Sequence, residues 1–130
     1  MTDTNPLVLI VDDDEEFPEV LNVALKGMGY DFHCEASAVK AQAWLLEHHQ
    51  GVCLIISDIM MPDGNGLDFC RWLKSQPALA NIPMILCTGL SDDATMQDAL
   101  ELGVVDFIRK PVPIAVIREK IERFRRRPAA

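Results

Sequence analysis

Five short runs in this chain are apolar at nearly every position: "LVLIV" (7–11), "VCLIIS" (52–57), "PMILCT" (83–88), "VVDFI" (104–108) and a weaker "YDFHC" (30–34). Their length and β-branched content fit strands, and apolar character on both faces fits strands buried in a parallel sheet. Segments of helical spacing lie between them. The first covers about 15–28, with Val20, Leu21, Ala24, Leu25 and Met28 on one face and Gly29 as a stop. Pro18 is tolerable there only in the first turn. The second covers about 37–49, opened by Ser37 as a cap, with Val39, Ala43, Leu46 and Trp44 inward. The third follows Gly66, carries Leu67, Cys70, Trp72 and Leu73, and ends before Pro77. The fourth and fifth cover about 92–102 and 113–126. Five strand–helix units joined by right-handed crossovers make an α/β fold, a doubly wound five-stranded parallel sheet with helices on both faces. With 130 residues the expectation is a single domain, its core about 6–126 and its ends loose.

The formal net charge of −8 argues against a nucleic acid or an anionic membrane surface as a direct partner. "RFRRR" (123–127) is the one basic cluster, expected to be a solvated helix terminus or the start of a linker. Cys34, Cys53, Cys70 and Cys87 form no CxxC pair, and Cys53 and Cys87 sit in apolar runs, as buried free thiols do. No run approaches the length of a membrane span, and "MTDTNP" lacks the features of a targeting peptide. The expected location is the cytoplasm.

In an open α/β sheet the ligand site lies beyond the carboxyl ends of the strands. The first strand ends at Asp12 and Asp13, the third at Ser57 and Asp58, the fourth at Thr88 and Gly89, and the fifth is followed by Lys110 and Pro111. Three carboxylates, a hydroxyl and an ammonium therefore converge on one edge. Two carboxylates about 5 Å apart at an effective dielectric near 20 repel by on the order of 3 kcal/mol. A hard divalent cation removes that penalty, and Mg²⁺ suits a few carboxylates that also receive phosphate oxygens. Asp14, Glu15 and Glu16 begin a helix, where acids complement the positive end of the dipole. His48 and His49 adjoin a helix end, where imidazolium suits the negative end.

Together, "LIVDDD", "IISDIMMPDGNG", "MILCTG" and "FIRKP" resemble the receiver domain of bacterial two-component response regulators, over about 6–126. The resemblance implies a flavodoxin-like receiver fold with Asp58 as phosphoacceptor. Asp58 would take a phosphoryl group from a sensor histidine kinase or a histidine phosphotransfer protein, acting as a carboxylate nucleophile. It implies Mg²⁺ held by Asp12, Asp13, Asp58 and the backbone carbonyl of Met60, with Asp12 and Asp13 acting directly or through water and Asp13 favoured as the direct ligand. Lys110 would neutralise the transferring group, Thr88 would give a hydroxyl to a phosphoryl oxygen, and Gly89 would leave room beside it. Lys110–Pro111 matches the family's Lys-Pro step, usually cis, and Pro62 and Gly66 match its loop. The family's switch pairs Thr88 with an aromatic position held here by Phe107, for which core packing is an equally good fit. The surface about 92–126 would meet an effector or a second copy in a phosphorylation-dependent homodimer. Val112 and Pro113 depart from the family's Phe after Lys-Pro. Met60 and Leu90 would flank the line of a hydrolytic water; both are apolar, so autodephosphorylation should be slow. The chain would then be no enzyme beyond promoting its own phosphorylation and dephosphorylation.

Two other readings compete. A haloacid-dehalogenase-like phosphotransferase would use Asp12 as nucleophile, with Asp14 completing Asp-x-Asp and "SDD" (91–93) as a late acidic pair, but that pair precedes Lys110 and no cap domain is evident. A receiver-like docking module that is never phosphorylated would not need the five site residues. A nucleotide-binding sheet would need a glycine-rich turn after the first strand, which is lacking.

Overall fold

The apolar runs become strands and the helical spacings become helices, in strict alternation. In chain order these are β1 (Leu7–Val11), α1 (Glu16–Leu25), β2 (Asp31–Glu35), α2 (Ala38–His48), β3 (Val52–Ser57), α3 (Gly66–Ser75), β4 (Met84–Thr88), α4 (Asp93–Leu102), β5 (Asp106–Arg109) and α5 (Ile114–Phe124). The computed structural model describes residues 5–61, 63–89 and 93–127, the side chains of Thr88 and Asp93 excepted. All five strands run parallel in the order β2-β1-β3-β4-β5. Chain direction across the sheet reverses after β2, which makes the boundary between β1 and β3 the switch point where such sheets open a crevice.

Strand alternation divides the core in two. Leu9, Val11, Ile55 and Leu86 face α2, α3 and α4, joined by Ala41, Leu45, Phe69, Leu73 and Ala99. Val8, Ile10, Leu54, Ile56 and Cys87 face the opposite side, joined by Phe17, Leu21, Ala24, Ile117 and Ile121 of α1 and α5. All four cysteines are free, and Cys53, Cys70 and Cys87 are buried. Among the described residues no helix is long and apolar enough to cross a membrane.

Helix entries follow local chemistry. Pro18 sits in the first turn of α1 as expected. The Ser37 hydroxyl accepts the Lys40 N–H at 3.2 Å, capping α2, and the Asn65 side chain does the same for α3 through the Asp68 N–H at 2.9 Å.

Four expectations need correction. In α1 the inward set is Phe17, Leu21, Ala24 and Leu25, whereas Val20 is exposed; the buried face is centred on Phe17, whose ring lies under Lys110. In α2 the phase is off by a residue or two: Ala38, Ala41 and Leu45 are buried, while Val39 is 61% and Leu46 59% exposed and Ala43 faces solvent. Trp44 is half-buried at the helix flank, stacked between His33 and His48 with ring centroids 4.3 and 4.8 Å away. In β5 the ladder begins at Asp106, paired with Ile85, two residues later than the apolar run suggests. The basic cluster is solvated only in part: Arg123 and Arg127 are exposed as expected, but α5 ends at Phe124 and the chain then runs along the start of β3. Arg126 N–H donates to Cys53 O at 2.8 Å, and its side chain donates to Val52 O at 2.7 Å.

Candidate functional site

β1 and β3 stop at the same level, with Val11 opposite Ser57, so Asp12 and Asp58 leave adjacent strands side by side. Their backbones are pinned: Asp58 N–H donates to Val11 O at 2.9 Å and Asp12 N–H to Glu35 O at 3.0 Å. Asp12, Asp13 and Asp58 each bring a carboxylate oxygen to a common point, all within 4.8 Å of one another. Lys110 follows directly on the end of β5, and the Lys110–Pro111 bond after it is cis. Its ammonium donates to Asp12 Oδ2 at 2.7 Å and to Asp58 Oδ2 at 3.3 Å, and lies 3.8 Å from Asp14 Oδ2 and 4.7 Å from the centre of the Phe17 ring. Asp14 thus reaches the rim of the site, besides accepting the Glu16 N–H at 2.9 Å where α1 begins.

The two strand-end aspartates differ in accessibility. The Asp12 side chain is 1% exposed and the Asp58 side chain 13%. Asp12 spends Oδ1 on the Asp14 N–H and Oδ2 on Lys110, while Asp58 holds the Ile59 N–H with Oδ1 at 2.7 Å and presents Oδ2 to the crevice beside Lys110. Asp58 is therefore better placed than Asp12 to attack a ligand entering from solvent. Burial pushes the Asp12 carboxyl above its usual range, against the hydrogen bond from Lys110 that lowers it. Burial alone would lower the Lys110 ammonium, but the hydrogen bond and charge of Asp12, with the charge of Asp58, outweigh it and raise it, so Lys110 is a cation at neutral pH. Burial pushes the Cys87 thiol, beneath the site, up to about 12. The cluster offers carboxylate oxygens and no thiolate or imidazole, the donor set that suits a hard divalent cation.

The loop after β3 is held by three further devices. Met60–Met61 pairs antiparallel with Gly64–Asn65, making a tight hairpin, and the Met60 side chain is 62% exposed. Gly66 N–H donates to Ile59 O at 2.7 Å, and a Cβ on Gly66 would lie 2.4 Å from Asp58 O. That explains the glycine eight positions after Asp58: only its bare Cα admits the Asp58 carbonyl. The Asp63 carboxylate accepts the N–H groups of Ala38 at 3.1 Å and Val39 at 2.8 Å. These bonds, the Val39 one foremost, hold its carboxyl below the usual range. Sequence reasoning missed Asp63, because its partners lie 24 and 25 residues away with no local pattern linking them.

Of the remaining expected site residues, Thr88 closes β4, whose Leu86 pairs with Ser57 on one side and Phe107 on the other. The Thr88 side chain, Pro62 and Leu90 lie outside the described residues, as does the 91–93 run apart from the Asp93 backbone. Gly89 is exposed. Phe107 is half-buried against the α2–α4 side of the core.

Comparison with known proteins gives one consistent answer. The sequence profile of the family described as "Response regulator receiver domain" matches residues 8–122. The transcriptional regulatory protein GltR of Pseudomonas aeruginosa is 32% identical over 120 residues, which cover 92% of this chain and 49% of GltR. The chain spans about half the length of the curated regulators it matches in this way. Among solved structures, the signal receiver domain of a signal transduction histidine kinase from Syntrophus aciditrophicus superposes with a TM-score of 0.81 at 38% identity, covering 92% of this chain and 89% of that one. A response regulator receiver protein from Pseudomonas putida gives 0.83 at 32% identity, covering 94% and 99%.

Proposed function

Since this chain belongs to the response regulator receiver family, we propose that Asp58 is its phosphoacceptor, charged by a sensor histidine kinase or a histidine phosphotransfer protein. The observation that carries this reading is the accessible Asp58 Oδ2 beside the Lys110 ammonium at 3.3 Å, within a cluster of three carboxylates. In the transfer, Asp58 Oδ2 forms a bond to phosphorus as the donor's N–P bond breaks, and that bond's electron pair returns to the imidazole nitrogen. Lys110, already a cation, neutralises charge on the moving group. Asp12, Asp13 and Asp58, with the Met60 carbonyl, would hold Mg²⁺, Asp13 being the more exposed and so the freer to turn toward it. Bound there, Mg²⁺ supplies charge neutralisation for the phosphoryl oxygens.

The domain is a signalling acceptor rather than an enzyme on a separate substrate, and the reactions it promotes are its own phosphorylation and a slow dephosphorylation. Residues about 6–126 act as one unit. Thr88 and Phe107 relay the phosphorylated state to α4, β5 and α5, and the surface about 92–126 meets the effector or a second copy. The relatives include transcriptional and DNA-binding regulators and a receiver of a histidine kinase, so a DNA-binding effector or a kinase is a fitting partner of this domain. A kinase-derived phosphohistidine as donor supports a cytoplasmic location for the reaction.

Intact mass after incubation with acetyl phosphate, with and without Mg²⁺, tests the reading. The expected result is one added phosphoryl group that requires Mg²⁺ and is absent from Asp58→Asn. A gain that survives in Asp58→Asn and vanishes in Asp12→Asn would make Asp12 the nucleophile. No gain under any condition would leave a docking module.

A further inference from the structure

The pole of the sheet opposite the acidic crevice carries the reverse charge. There the chain segments 5–6, 49–53 and 125–127 surround an open pocket of about 500 Å³. Among the described residues no acidic side chain lines it, although the chain holds 20 acids against 12 lysines and arginines.

One of its cations, Arg126, is fixed without being neutralised. Arg126 donates to Val52 O at 2.7 Å and to His49 O at 3.0 Å, both uncharged carbonyls, so its guanidinium is held rigidly with its charge intact. The Arg125 guanidinium lies 5.2 Å above the centre of the Tyr30 ring, and its Nε is buried with no hydrogen-bond partner. Arg127 stands 3.6 Å from Glu122 Oε2, but both side chains are more than half exposed, so that pair is weak. His49 Nδ1 donates to Leu45 O at 3.2 Å, which leaves Nε2 as the ring's remaining polar atom.

A guanidinium held by backbone carbonyls, as that of Arg126 is, binds an anion without first breaking an ion pair, and its planar donors match phosphate oxygens. The volume is that of a small-molecule site, and Pro6, Val52 and Cys53 give it partly apolar walls. We propose that this pocket binds a phosphate-bearing small molecule. It is independent of phosphorylation at Asp58, since it lies where β1 and β3 begin and the acids lie where they end.

The test is a ¹H–¹⁵N NMR titration of the chain without Mg²⁺, with pyrophosphate, AMP and adenosine as probes. Pyrophosphate and AMP shift the amides of Gly51, Val52 and Cys53 and the Arg125 Nε–H, adenosine does not, and the signals of residues 11–13 and 58–60 stay in place. A Cβ on Gly51 would meet nothing within 4 Å, so Gly51→Glu brings a competing carboxylate to the pocket without disturbing the packing. It weakens pyrophosphate binding by about tenfold or more, as does Arg125→Gln. Three outcomes overturn the site: no shift at millimolar pyrophosphate, adenosine acting like AMP, or undiminished binding in a folded Gly51→Glu.

Discussion

The carboxylate of Asp63 accepts the backbone N–H of Val39 at 2.8 Å, closing a loop of 24 residues. With the Ala38 N–H at 3.1 Å, this bond ties the hairpin after Asp58 to the start of α2. Asp63→Asn weakens that tie, and a lower urea midpoint at neutral pH is the expected result. The sign of the pH effect follows from the lowered carboxyl. Its contribution is present above the ordinary carboxylate value and lost as pH falls through the folded value. The gap between the two proteins should therefore be wide at neutral pH and should shrink as pH falls below the ordinary carboxylate value. An unchanged gap would show that the carboxylate charge plays no part.

Gly66→Ala forces a methyl group to within 2.4 Å of Asp58 O and 3.2 Å of Ile59 Cα, both backbone atoms. Overpacking of this kind costs about 1–3 kcal/mol. Denaturant unfolding should register that loss. Because the displaced atom belongs to the phosphoacceptor's own peptide, the rate of phosphorylation by acetyl phosphate should fall too.

Lys110→Met leaves Asp12 and Asp58 without their shared ammonium. Removing one partner from a buried pair costs about 3–5 kcal/mol, and partial exposure of this one argues for the low end of that range or below. Thermal scans in EDTA should show the destabilisation. Added Mg²⁺ should raise the melting temperature of the variant more than that of the unsubstituted protein, since the uncompensated acids attract the cation more strongly. Phosphorylation should slow in the same variant. Equal responses to Mg²⁺ would mean that Lys110 is not the counter-ion of the cluster.

Met60 exposes its side chain two residues beyond Asp58 and has no polar atom able to orient water well. Met60→Asn should shorten the lifetime of the phosphorylated form several-fold, followed by mass after removal of the phosphodonor. A lifetime of only seconds in the unsubstituted protein would contradict the slow turnover expected from Met60.

Thiol labelling reports on packing. Cys34 is half-buried, whereas Cys53, Cys70 and Cys87 are buried, Cys87 with its thiol pushed up to about 12 by desolvation. Maleimide should modify Cys34 first and reach the other three only on unfolding.

The strand-end site was legible because each of its parts has a local signature: a buried strand announces itself by composition, and the residue after it is then fixed in space by the sheet. Asp12, Asp13, Asp58 and Lys110 meet for that reason. Asp63 and Arg126 were not legible, since each acts on backbone groups far away in sequence. Backbone donors and acceptors carry no residue identity, so nothing in the sequence names them as partners. The start of β5 was misplaced because Val104 is buried ahead of the ladder, and burial without pairing looks the same in a sequence as a strand.

Helix α2 carries a second apolar stripe, Val39, Ala43 and Leu46, on the side away from its buried Ala38, Ala41 and Leu45. Side-chain hydrophobicity alone therefore leaves its rotation about its own axis nearly degenerate. The choice between settings falls to directional contacts: the Asp63 bonds at one end and the stacking of Trp44 on His33 near the middle. Such contacts form only after β2 and the hairpin following β3 are in place. This helix is thus the element whose orientation the rest of the molecule decides, and a chain lacking those two anchors could bury either stripe with little difference in energy.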